Sequence, residues 1–194
     1  TPYKIKIGDI NLQDIQASAN LLSGNFQIGL KSTSLQMKEM DLDQMLFDIK
    51  KIEIDQLKLK AELFNSNNKI EDLPKDTSAQ NVVFPLKDLG MKILCESIQI
   101  SNSSILYQNG NIVKGKYFDP NDISLQALNL DIKNVHVDDK KAALEVQNVS
   151  TDLNDEFKLE KLKFNIFFDE KNASIKGLEL LTDRSKGKAD VSLD

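Results

Sequence analysis

The apolar residues of this chain keep one spacing and repeat it. With φ for an apolar residue, the pattern φ-x-φ-x-x-φ-x-φ runs through Ile5, Ile7, Ile10 and Leu12, then Leu35, Met37, Met40 and Leu42, then Ile52, Ile54, Leu57 and Leu59. It returns as Ile123, Leu125, Leu128 and Leu130, which overlaps Leu130, Ile132, Val135 and Val137. Two more copies are Phe157, Leu159, Leu162, Phe164 and Ala173, Ile175, Leu178, Leu180, and a degenerate one is Ile98, Ile100, Ser103, Ile105. Alternation with period two marks a strand with one apolar face. A step of three would turn the second half of each copy to the opposite face. A β-bulge absorbs one residue, restores the phase and bends the strand. Each copy therefore predicts two short apolar strand pieces joined at a bulge. Strands that all bend at a similar place would curve their sheet into a trough.

A helical reading competes in two places. Leu42, Met45, Leu46 and Ile49 fit one helix face, and Ile15, Ala19 and Leu22 fit it more weakly. Strand is preferred in both, because residues 49–63 are strand-like throughout. The pattern breaks at Asn65-Ser66-Asn67-Asn68 and Asp72-Leu73-Pro74-Lys75-Asp76-Thr77-Ser78, which read as a long loop at the rim of an open sheet. A second loop is expected within 107–122, with Gly110, Gly115 and Asp119-Pro120-Asn121. The expected organisation is one continuous β segment over 1–194: a first strand set at 1–64, a long loop at 65–90 and a second strand set at 91–194.

Composition narrows the function. Aromatic residues are 6% of the chain and Trp is absent, so the anchors that usually fill a compact core are scarce. With 8 Gly and 4 Pro, strands should be long and tight turns few. The net charge of −5 argues against nucleic acid as a partner, which needs a basic surface to displace counterions. A single cysteine, Cys95, excludes an internal disulfide. No apolar run reaches the roughly 18 residues of a membrane-spanning helix. The chain opens on Thr1-Pro2 rather than Met, which suggests a piece of something longer.

Catalytic chemistry has little to work with, and the expectation is that this is not an enzyme. His136 lies between Val135 and Val137, so alternation turns it away from them, toward solvent. Cys95 reads as a buried or half-buried structural thiol, since a nucleophile needs an electropositive setting. One His and one Cys cannot build a zinc site, and the pairs Asp41/Asp43, Asp138/Asp139 and Asp152/Asp155 lack calcium-loop spacing. No phosphate-cradling glycine loop occurs. No cofactor or metal is therefore expected. Met37, Met40 and Met45 suit an adaptable apolar surface, although ordinary packing explains each. A long aliphatic face with few aromatics must be covered by a second sheet, by its own chain or by an apolar ligand.

At this point the chain resembles the AsmA-like superfamily, and within it the TamB (translocation and assembly module subunit) family of Bacteroidetes-type bacteria. The resemblance rests on Ile98-Gln99-Ile100-Ser101-Asn102-Ser103-Ser104-Ile105-Leu106-Tyr107 and on Phe118-Asp119-Pro120-Asn121-Asp122-Ile123-Ser124-Leu125. It continues in Asn154-Asp155-Glu156-Phe157-Lys158-Leu159-Glu160-Lys161-Leu162 and in Leu178-Glu179-Leu180-Leu181-Thr182-Asp183-Arg184-Ser185. Glu156 departs from the glycine usual in that family before the Phe. The resemblance implies an all-β fold, an elongated, curved antiparallel sheet rolled into an open, taco-like apolar groove. It implies a periplasmic location between inner and outer membrane, with an inner-membrane anchor outside this segment. It implies phospholipid as cargo, outer-membrane biogenesis as the process, and a BamA- or TamA-like outer-membrane barrel protein as partner.

A lipid conduit needs an unbroken apolar lining, because each methylene exposed to water costs about 0.8 kcal/mol. The groove-lining candidates are Ile123, Leu125, Leu128, Leu130, Phe157, Leu159, Leu162, Phe164, Leu178 and Leu180. Two other readings compete: a β scaffold that assists outer-membrane proteins through open sheet edges, and a closed structural β-solenoid.

Overall fold

The computed structural model describes residues 4–5, 8–64, 89–110, 119–154 and 157–193. These form ten strands and no helix: β1 (Lys4–Ile5), β2 (Ile10–Leu21), β3 (Gly24–Asp41), β4 (Leu46–Leu63), β5 (Lys92–Asn109), β6 (Asp122–Val137), β7 (Lys141–Leu153), β8 (Phe157–Asp169), β9 (Ala173–Thr182) and β10 (Lys186–Leu193). Both stretches with a helical alternative are non-helical. Residues 15–21 belong to β2, residues 42–45 form a turn and residues 46–49 open β4. Leu42, the expected fourth apolar residue of its copy, lies in that turn and is exposed. Within the segment 107–122, β5 ends at Asn109 and β6 starts at Asp122. Residues 65–88 of the expected 65–90 loop and the positions Ile7, Phe118 and Glu156 lie outside the described residues.

All ten strands belong to one sheet, in the order β1-β3-β4-β5-β6-β7-β8-β9-β10, with β2 also paired to β3. The described strands do not close on themselves, which excludes a closed solenoid among them. The expectation of a purely antiparallel sheet needs one correction, because β4 and β5 are parallel, with Leu46 opposite Lys92 and Leu63 opposite Asn109. Parallel neighbours require a connection of a dozen residues or more. The long break between Leu63 and Lys92 supplies it.

The bulges fall where the spacing places them. Five copies have a left-handed residue at the second of their two intervening positions: Gln56 (φ 53°), Asn102 (φ 50°), Ala127 (φ 49°), Asn134 (φ 53°) and Gly177 (φ 63°). Asp14 (φ 51°) does the same between Leu12 and Ile15, in a strand whose copy includes Ala17. In the copies starting at Leu35 and Phe157 the extra residue appears instead as a register shift, at Gln36–Glu39 and at Leu159–Lys161. Asp14, Lys31 and Gln56 stand side by side across β2, β3 and β4, and Asn102 continues the line in β5. These four strands therefore share one crease, while Asn134, between Ile132 and Val135, and Gly177, between Ile175 and Leu178, lie off that line.

The motif reads the same in both directions, so copies match whether strands run parallel or antiparallel. Leu35 and Thr33 face Ile52 and Ile54 across the antiparallel pair. Ile52 and Ile54 in turn face Ile98 and Ile100 across the parallel one.

Among the described residues, no second layer covers the sheet. A compact chain of 21.8 kDa exposes about 9,300 Å², whereas this one exposes 13996 Å². Among the described apolar residues, only Cys95, Leu128 and Val146 are fully buried.

Three hairpin turns at one end of the sheet share a cap. Asp41 accepts the N–H groups of Asp43 and Gln44, each at 3.0 Å. Asp138 accepts those of Lys140 and Lys141, each at 2.9 Å, and Asp169 those of Lys171 at 2.8 Å and Asn172 at 2.7 Å. At Asp138 partial burial works to raise the carboxyl pKa. The Lys140 N–H, the His136 ring and the Lys141 N–H outweigh it and lower the pKa to about 2. A carboxylate depressed on folding stabilises fully above its unfolded pKa, near 4, and loses that contribution as pH falls through about 2. Between those limits the fold should lose about 1–2 kcal/mol at this turn. Urea melts of the wild type and of Asp138→Asn at pH 7 and pH 3 check this. The variant keeps an oxygen at the cap and should show the smaller pH dependence.

Candidate functional site

Cross-strand partners share a face, and the register turns the repeat into rows that cross the sheet. One row is Ile10, Leu35, Ile52, Ile98, Ile132, Val146 and Phe164. The next is Leu12, Thr33, Ile54, Ile100, Leu130, Val149, Leu162 and Leu180. Beyond the crease runs a third, with Ala17, Ile28, Leu59, Ile105, Leu125, Leu153 and Phe157. Toward the other end lie Met37, Ile49, Cys95 and Val135, then Met40, Phe47, Ile93, Val137, Ala142, Phe168 and Ala173. Because the bulges restore the phase, the rows on either side of the crease stay on one face. No charged side chain stands in any of them.

All ten groove-lining candidates join this pattern. Leu130, Leu162 and Leu180 share the second row with Val149, Leu125 and Phe157 share the third with Leu153, and Phe164 ends the first. Ile123 faces Tyr107, Leu128 faces Ser103, Leu159 sits between Thr151 and Thr182, and Leu178 faces Ala189. β7 lies between β6 and β8 and fills the lining with Leu144, Val146, Val149 and Leu153, none of which the sequence reading selected. Its copy, Leu144, Val146, Val149 and Thr151, ends on a threonine, and in β3 Thr33 similarly interrupts Ile28, Leu30 and Leu35. A repeat search that admitted Thr at one of the four positions would have found both.

The few hydroxyls on this face are spent on the backbone. Thr33 donates to the Glu53 carbonyl at 2.9 Å, Ser103 to Ser101 at 2.9 Å, Thr151 to Gln126 at 2.9 Å and Thr182 to Ser185 at 3.3 Å. Cys95 donates its thiol to the Ser97 carbonyl at 3.3 Å, and burial pushes its pKa up. Tyr107 has the other polar tip in these rows. Ser103 also accepts the Leu57 N–H at 3.0 Å, next to the Gln56 bulge. This explains a serine in an apolar slot. Ser103→Ala would orphan that buried amide and should cost about 1–2 kcal/mol in a urea melt.

The opposite face is polar. It holds the ion pairs Lys51–Glu53 at 2.6 Å, Lys60–Glu62 at 2.9 Å and Lys161–Glu179 at 3.3 Å. These exposed pairs add little stability. A furrow of about 680 Å³ crosses this face between two polar rows, Asn11-Ser34-Glu53-Gln99-Asp131-Asn148 and Gln13-Ser32-Asp55-Ser101-Asn129. Its carboxylates are engaged: Glu53 with Lys51 and Ser34, Asp55 with Ser101 and Asn102, Asp131 with Lys133. A second furrow, about 610 Å³, is likewise walled by polar rows through Gln16, Lys58, Ser18 and Lys60.

Compared with known families, curated proteins and solved structures, the chain matches none. Any functional reading therefore rests on its own residues. His136, expected toward solvent, is half-buried, with Nε2 at 2.8 Å from Asp138. Its strand partners on that face are Leu94 and Ala143, and it belongs to the turn cap. No group of three or more potential metal ligands occurs among the described residues, and no described helix is long and apolar enough to cross a membrane.

Proposed function

We propose that the apolar face carries lipid acyl chains, and that this chain is a non-catalytic segment of a TamB-like bridge passing phospholipid between the inner and outer membranes of a Gram-negative bacterium. In this reading the bent sheet forms an open groove, the cargo moves along the rows, and a BamA- or TamA-like barrel protein receives the far end. The observation that carries the reading is the continuity of the face. Its rows cross as many as eight strands without a charge, and every aliphatic hydroxyl among them donates to the backbone. At about 4.8 Å per strand, eight strands span roughly 34 Å. Over that distance an acyl chain meets neither a wet gap, at about 0.8 kcal/mol per exposed methylene, nor a polar grip that would hold it. The sequence resemblance to the AsmA-like superfamily points the same way.

The test is the lipid content of the chain produced in a Gram-negative host and purified without detergent. Mass spectrometry of the organic extract should return phospholipid in stoichiometric amounts. A lipid-free protein that also takes up none from vesicles of the host's phospholipids would contradict the proposal.

A further inference from the structure

Among the described residues, the two outer strands of the sheet, β2 and β10, are unlike. β10 carries Lys186, Lys188 and Asp190 and shifts register between Ala189 and Val191, features that discourage edge pairing. β2 is exposed along all 12 of its residues and has neither lysine nor proline. Its one charge, Asp14, is turned to Lys31 of the neighbouring strand at 3.0 Å. Ile10, Leu12 and Ile15 carry three apolar rows to this edge and leave them open there.

We propose that β2 pairs antiparallel with β2 of a second copy of this chain, giving a closed two-fold dimer with one continuous sheet. The motif reads the same in both directions, so it complements itself about its bulge. Leu12 then stands opposite the partner's Ile15, and Ile10 opposite the partner's Ala17. Asn11 faces the partner's Gln16 on the polar side, and the two creases fall in line. This is the phase in which β2 already meets β3 and β3 meets β4. A two-fold axis normal to the sheet keeps both apolar faces on one side. Because β10 is guarded, pairing uses one edge only and closes at two copies instead of growing into a filament. The inference needs no assumption about what the apolar face carries.

Sedimentation velocity over a micromolar concentration series tests it. The wild type should pass from monomer to dimer and stop there. Asn11→Lys with Gln16→Lys places lysine opposite lysine twice, on an exposed face where folding is untouched, and should weaken the dimer roughly tenfold. Asn11→Glu with Gln16→Glu should weaken it similarly, and mixing the two variants should restore a heterodimer. A wild type that stays monomeric, one that grows beyond the dimer, or a lysine variant that dimerises like the wild type would each overturn the proposal.

Discussion

Inserting an alanine between Asn102 and Ser103 should unfold the sheet, whereas Asn102→Gly should leave it standing. Asn102 is the left-handed residue of β5, which lies between β4 and β6. Its bulge absorbs one extra residue and no more, so with a second one everything after it changes face. Ile105 and Tyr107 would move to the charged side, and Ser104 and Gln108 into the apolar rows. Both neighbouring ladders would lose their match, Leu59 to Ile105 on one side and Ile105 to Leu125 on the other. Losing several half-buried apolar side chains in this way costs more than about 5 kcal/mol, comparable to the whole stability of a domain. Asn102→Gly keeps the backbone angle, loses the side-chain bond to Asp55 at 3.2 Å, and should stay within about 1 kcal/mol of wild type. Asn102→Val, with a branched side chain held at positive φ, should cost about 1–2 kcal/mol. Urea denaturation of the three variants orders them, and an insertion variant as stable as the wild type would contradict the phase argument.

The coupling of alternation to bulges also decides which features were legible in the sequence. Strand identity, the apolar face and the bulges were legible because alternation with a step of three has one regular solution, and Gln56, Asn102, Ala127, Asn134 and Gly177 occupy its predicted place. The parallel pairing of β4 with β5 was not legible, because a self-complementary motif matches its neighbour in either direction. The membership of β2, β3 and β7 in the repeat was blurred by Ala17, Thr33 and Thr151, which are small or polar where the pattern is aliphatic. Ser103 looked like a defect in the repeat, since nothing local announces that its hydroxyl serves Leu57 of another strand. His136 looked solvent-facing because its partner Asp138 is set by the turn, not by the alternation.

Leu130→Asp combined with Leu162→Asp should abolish lipid binding while the sheet stays folded. The two leucines share the second row on either side of Val149, and neither is fully buried. Folding should therefore lose only about 1–2 kcal/mol per site. In the lipid-bearing state, however, two carboxylates would lie among acyl chains with no cation in the rows to pair them. Desolvating them there costs several kcal/mol, so retained lipid should fall by tenfold or more. Asn165→Asp is the matched control. It adds the same single charge to β8 as Leu162→Asp alone, but on the polar face, opposite Lys176, and should retain lipid like the wild type. Equal loss in Asn165→Asp and in Leu162→Asp alone would mean that net charge, rather than the lining, governs binding.

The proposed function requires that the apolar side of the sheet, and not the polar side, meets lipid. Its most direct test is a photoreactive benzophenone side chain placed at Leu162 and, one residue on, at Lys163, with irradiation in the presence of labelled phospholipid vesicles. The two positions share a backbone and differ in face. A phospholipid adduct at Leu162 with none at Lys163 is the predicted result. No adduct at Leu162, or equal adducts at both, would contradict the account.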